Sequence, residues 1–141
     1  MRERGFSLVD LMVTCLLLGT VVGIGLNSWD TLSTQHRLQS ACQSLISDLW
    51  RARVASLAGN LPVAIEVRGD RAAYSVVEHG ETPVWRELPP GVRFSDHPKT
   101  KVTFYSRGSA VPGGTYTLEN PSGKLRVIVA ASGRFRWQRL E

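Results

Sequence analysis

Residues 6–26 read FSLVDLMVTCLLLGTVVGIGL, with Asp10 the single charged side chain among them. As a helix rising about 1.5 Å per residue, this stretch covers roughly 30 Å, the thickness of the hydrocarbon core of a bilayer. Arg2 and Arg4 stand before it and the next cation is Arg37. That asymmetry predicts a cytoplasmic N-terminus, with the chain after Trp29 on the far side and Trp29 at the interface. A cleaved secretory signal would need a shorter apolar run ending in a small-x-small site, and Gly23-Ile24-Gly25, the nearest approximation, lies inside the run. A plain uncleaved anchor leaves Asp10 unexplained, because a carboxylate at the centre of a membrane helix costs about 2.5–3.5 kcal/mol. Asp10 therefore implies a partner or a function.

Working outward, apolar residues continue at spacings of three and four through Leu38, Ala41, Cys42, Leu45, Ile46, Leu49, Ala52 and Leu57. Gln35, Gln39, Gln43, Ser47, Asp48 and Arg51 are expected on the other faces. Gly59-Asn60 before Pro62 is a stop signal. With no proline in residues 6–61, one helix of about 50 residues is permitted. Gly19, Gly23, Gly25 and the pair Asn27-Ser28 predict a bend or local melting near the middle. Gly19 and Gly23 also form a G-x-x-x-G pair, which is frequent by chance in membrane segments. Cys15 and Cys42 would lie roughly 40 Å apart on such a helix, too far for a disulfide, and both read as small buried apolar residues.

Beyond Pro62 the period falls to two. Val63, Ile65 and Val67 alternate with Ala64, Glu66 and Arg68, and Gly69-Asp70 turns the chain into 72–77, which together read as a hairpin. Further strands are expected at 84–88, 92–95, 101–105, 116–119, 125–130 and 135–138, separated by Pro89-Pro90-Gly91, Pro112-Gly113-Gly114 and Asn120-Pro121-Ser122-Gly123. The fold class is α+β, one long helix followed by antiparallel sheet. The 141 residues, 43% hydrophobic and 21% charged, are room for one domain and exclude disorder. Two cysteines exclude a disulfide-dense scaffold.

The run Arg4-Gly5-Phe6-Ser7-Leu8-Val9-Asp10-Leu11-Met12 resembles the class III signal of type IV prepilins and pseudopilins. The resemblance implies cleavage by a prepilin peptidase between Gly5 and Phe6, followed by N-methylation of Phe6. It also implies that Asp10, where the family usually has Glu, meets the N-terminal amine of a neighbouring subunit during assembly. Unlike charges in a low-dielectric bundle are better tolerated together than alone. Asp is one methylene shorter, which changes the reach of that contact and not its sign. The organisation expected is a leader at 1–5, a transmembrane helix at 6–28, its amphipathic continuation at 29–60 and a periplasmic β domain at 61–141.

The segments 49–55 and 63–65, then 102–104 with Gly108, and finally 127–136, ending Ala131-Ser132-Gly133-Arg134-Phe135-Arg136, are similar in order to the GspH/FimT family of minor pilins and pseudopilins. This implies a type IV pilin-like fold and a structural subunit of a type IV pilus or a type II secretion pseudopilus. Its location would be the bacterial inner membrane, single-pass, with incorporation into the filament. Partners implied are the prepilin peptidase, other major and minor pilins or pseudopilins, and inner-membrane lipid. No enzyme signature is present: G-x-S-x-G, H-E-x-x-H, C-x-x-C and the Walker loop are all absent from the sequence, and His36, His79 and His97 sit in unrelated contexts. No catalytic residue, metal or cofactor is expected.

The net charge of +5 is uneven. Residues 99–141 hold eight Lys/Arg and two Asp/Glu, whereas 1–98 hold nine basic and ten acidic side chains. On a strand, Arg134, Arg136 and Gln138 share one face, with Phe135 and Trp137 on the other, so aromatics inside and guanidiniums outside are expected. Lys124 and Arg126 repeat the pattern. A solvated face is the plain reading of each arginine. The alternative is a phosphate-contacting patch, since clustered cations bind DNA backbone by releasing counterions. Within the family some FimT-like members bind double-stranded DNA for natural transformation through a C-terminal G-R-x-R, which Gly133-Arg134-Phe135-Arg136 fits. The resemblance thus extends to a DNA-binding minor pilin, with Arg134 and Arg136 on phosphates and Lys124, Arg126 and Arg139 assisting.

Overall fold

The computed structural model describes residues 8–78 and 80–140, with only the backbone for 22–31. Helix α1 spans Leu8–Gly59, and the chain divides into two compact units, Met1–Ser33 and Thr34–Glu141. Helical hydrogen bonding continues through Gly23, Gly25, Asn27 and Ser28, so the local melting expected there does not occur. A glycine costs only about 1 kcal/mol in a helix, less than the neighbouring turns return by staying bonded.

In the first unit the apolar side chains of Leu8, Val9, Leu11, Met12, Val13, Leu16, Leu17, Leu18 and Val21 are all exposed. Cys15 is exposed with them, contrary to the expectation of a buried residue. Among the described residues no helix is long and apolar enough to cross a membrane. Of the expected span 6–28, Phe6, Ser7 and the side chains of 22–28 lie outside the described residues.

In the second unit α1 carries a buried stripe, Leu38, Ala41, Cys42, Leu45, Leu49 and Ala52, at the spacing of a single helix face. Full burial of one such leucine is worth about 1.5–3 kcal/mol. Burial also raises the Cys42 thiol to about 11, as expected of an inert apolar residue. The helix stops where anticipated, with Asn60 at φ 51°, a left-handed position that Asn tolerates.

Two antiparallel sheets receive this stripe. The first has the order β3-β2-β1-β5-β6, from β1 (Val63–Val67), β2 (Ala73–Glu78), β3 (Val84–Glu87), β5 (Val102–Phe104) and β6 (Ala110–Val111). The second has the order β4-β7-β8-β9, from β4 (Arg93–Asp96), β7 (Gly114–Asn120), β8 (Gly123–Val129) and β9 (Phe135–Leu140). The hairpin anticipated at 63–77 forms, with Ile65 opposite Val76. The two-residue strand β6 was not anticipated, since so short a pairing leaves no period to read. The core joins the helix stripe to Val63, Ile65, Tyr74, Phe94, Phe104, Tyr116, Leu118, Val127 and Val129, so both sheets share one interior.

Two glycines fasten the end of α1 to both sheets. Gly108 (φ 76°) and Gly133 (φ 74°) adopt left-handed backbone, and the carbonyl oxygen of Gly108 lies where a Cβ on Gly133 would stand. The Arg53 side chain passes within 3.5 Å of the same space at Gly108. Nearby, the Ser56 hydroxyl donates to the Arg53 carbonyl at 2.8 Å and reaches the Tyr105 carbonyl at 3.3 Å. The Ala110 N–H donates to the Ala131 carbonyl at 3.0 Å, which ties the edge of one sheet to the β8–β9 turn of the other.

Candidate assembly and binding surfaces

Strand register decides which C-terminal side chains stand together, because directly opposed residues share a face. Ile128 opposes Arg136, Arg126 opposes Gln138, and Lys124 opposes Leu140, so these six lie on the outer face of the second sheet. Val129 opposes Phe135, Val127 opposes Trp137, and Leu125 opposes Arg139 on the helix side. Arg139 is thereby separated from Arg126 and Arg136, while Arg134 stands in the turn that leads into β9 and lines a shallow cavity with Ile128 and Arg136.

Trp137 corrects an expectation. Phe135 packs against the core, 5.9 Å from Phe104 and 5.5 Å from Trp50 between ring centres, but Trp137 is 61% exposed. It lies on the helix side of the edge strand, where the described residues cover only part of it.

The cations differ in how far they are engaged. The Glu119 carboxylate is 3.2 Å from Lys124 Nζ and 3.2 Å from Arg93 Nε. Its hydrogen bond with Lys124 holds it below the usual carboxylate range. Exposed pairs of this kind contribute little stability, but the single carboxylate offsets one of the two positive charges of Lys124 and Arg93. No ion pair within 4.0 Å joins Arg126, Arg134, Arg136 or Arg139 to an acid among the described residues. Arg126 Nε and the Oγ1 of Thr117, opposite it on β7, are buried without hydrogen-bond partners.

A second polar cluster was not foreseen. Asp48, expected on a solvated helix face, is 3% exposed and accepts a hydrogen bond of 2.6 Å from the Tyr74 hydroxyl of β2. Arg86 of β3 places Nη1 3.1 Å from the same carboxylate oxygen. Burial, then the bond to Asp48, pushes the Tyr74 phenol well above its ordinary range. The periodicity held the signal: Asp48 falls between Leu45 and Leu49, three and one residues from positions on the buried face.

Of the remaining expected positions, Asp10 lies in the first turn of α1, where the Thr14 hydroxyl donates to its carbonyl at 2.7 Å. Gly5, Phe6 and His79 lie outside the described residues. His36 is exposed, and His97 is half-buried with Nδ1 3.0 Å from the Pro98 carbonyl. No group of three or more metal-ligating side chains occurs among the described residues.

A long helix whose stripe packs on two antiparallel sheets defines a type IV pilin-like fold. The family model described as Type II transport protein GspH matches residues 41–133, and the chain belongs to that family, one of structural subunits and not enzymes. The type IV minor pilin FimU of Pseudomonas aeruginosa superposes with a TM-score of 0.61 at 18% identity, covering 74% of this chain and 90% of that one. The minor pseudopilin EpsH from the Type 2 Secretion System of Vibrio cholerae gives 0.61 at 13% identity, covering 73% and 97%. No curated protein matches the chain by sequence. The chain is thus a minor pilin or pseudopilin of the GspH/FimT type.

Proposed function

We infer that the chain is assembled into a type IV pilus or type II secretion pseudopilus through its N-terminal helix, after a prepilin peptidase cuts between Gly5 and Phe6 and Phe6 is methylated. The observation that carries this is the helix of unit one, apolar and exposed from Leu8 to Val21 except for polar and small residues, with Asp10 as its charge. Such a surface needs lipid or other subunits around it. Before assembly the helix anchors the chain in the bacterial inner membrane with the β domain periplasmic. Within the filament Asp10 meets the N-terminal amine of a neighbouring subunit.

Gly5→Leu is expected to leave the leader attached, read as the unprocessed mass of the membrane-extracted chain; a normal mature mass overturns the assigned cut. Asp10→Ala is expected to be processed normally but to fall at least tenfold in sheared filaments. Wild-type amounts there remove its assembly role.

The cations without acidic partners favour one addition. Arg126, Arg134 and Arg136 form a patch on the outer sheet face and its turn that suits the phosphates of double-stranded DNA, consistent with a role in DNA uptake. Lys124 is engaged by Glu119 and Arg139 stands on the other face, so both contribute less. In gel shifts of the detergent-solubilised chain, Arg134→Ala with Arg136→Ala should flatten the log–log salt dependence by about two phosphate contacts. An unchanged slope discards the patch.

A further inference from the structure

The second sheet ends on β9, and no strand pairs with the far side of β9 among the described residues. The other sheet edges are blunted. β6 has two residues and runs into Pro112, β3 has four, and β4 has four with a register shift between Phe94 and Asp96. β9 has six residues, contains no proline, and pairs with β8 without a break from Phe135 to Leu140. A long regular edge is a template for one more strand.

Its free groups can be assigned. The Ala130 N–H donates to the Arg134 carbonyl at 2.9 Å, which makes 130 and 134 a hydrogen-bonded pair. Alternation along an antiparallel ladder then directs the N–H and C=O groups of Arg136, Gln138 and Leu140 to β8, and those of Phe135, Trp137 and Arg139 to the open side.

The surroundings select an occupant. Trp137 stands beside a groove of about 310 Å³ between Gln35, Leu38 and Gln39 of α1 and Leu125, Trp137 and Arg139. At the other end of the strand, half-exposed Trp50 flanks Phe135. Arg134, Arg136 and Arg139 line the edge without acidic partners among the described residues. A second copy of β9, Phe135–Leu140, would bring further arginines and no carboxylate to this edge.

We propose that β9 is a docking edge that takes an extended acidic segment of another protein subunit as an additional strand. Main-chain hydrogen bonds form at Phe135, Trp137 and Arg139, carboxylates of the segment meet the arginines, and its apolar residues cover Trp137 and the groove. This is distinct from the DNA reading, in which phosphates approach the outer face and no backbone group of β9 is bonded.

The test uses the detergent-solubilised full chain and fluorescent synthetic heptapeptides that alternate valine with glutamate or valine with lysine. The valine–glutamate peptide is expected to bind, and to slow hydrogen exchange at the amides of Trp137 and Arg139 at least tenfold. Trp137→Pro removes one outward N–H and spares the bonds to β8, so its affinity should fall at least tenfold, whereas Trp137→Phe should fall less than threefold. Absence of binding, equal binding of the lysine peptide, or binding without protection of those two amides overturns the proposal, and the exchange result stands even if the proline variant does not fold. Self-association of the wild-type chain that protects the same amides assigns the edge to a second copy and also overturns it.

Discussion

Gly133→Ala is expected to destabilise the β domain by at least about 3 kcal/mol in equilibrium urea unfolding of the detergent-solubilised chain. The left-handed backbone at Gly133 costs an L side chain about 1–2 kcal/mol. The new Cβ would also overlap the Gly108 carbonyl oxygen, with Arg53 Nε 3.0 Å away. Neither neighbour can yield without moving the bond from Ala110 to Ala131 or the end of α1. Gly91→Ala is the control, since Gly91 has φ 83° but open space around it, so it should cost about 1 kcal/mol. Equal losses for the two variants would mean that the contact between the two glycine turns carries no stability.

Asp48→Ala should cost about 3 kcal/mol, because it strands the Tyr74 hydroxyl in the core and leaves the space of a buried carboxyl unfilled. Joint replacement by Asp48→Leu and Tyr74→Phe should recover more than half of that loss, as buried polar pairs are often replaceable by apolar residues of similar size. Arg86→Ala should lower stability less, about 1 kcal/mol, since Arg86 is half-exposed and the Tyr74 bond remains. If Asp48→Ala unfolds within about 0.5 kcal/mol of the wild type, the cluster does not hold β2 and β3 to the helix.

Much of the architecture was legible in local pattern. The helix face from Leu38 to Ala52, its stop at Gly59-Asn60, and the hairpin at 63–77 follow from period and turn chemistry, which depend only on neighbours in sequence. Gly108 and Gly133 stood out in the family resemblance, yet nothing in the sequence indicated that they meet. Asp48 and Trp137 were misplaced for one reason. Polarity predicts where a side chain would be cheapest, whereas Tyr74 and Arg86 bring Asp48 inside by satisfying it, and Trp137 stays out because β9 is the last strand of its sheet.

The amino-acid sequence alone determined an apolar N-terminal helix interrupted by Asp10, a switch to strand periodicity after Pro62, and a basic C-terminus, since each is a property of composition and spacing. Only the tertiary structure decided which arginines share a face, which acid pairs with Lys124, and which strand is left open. Those depend on register and strand order, and a one-residue slip in pairing reverses every side chain. Contacts between residues distant in the chain fix both.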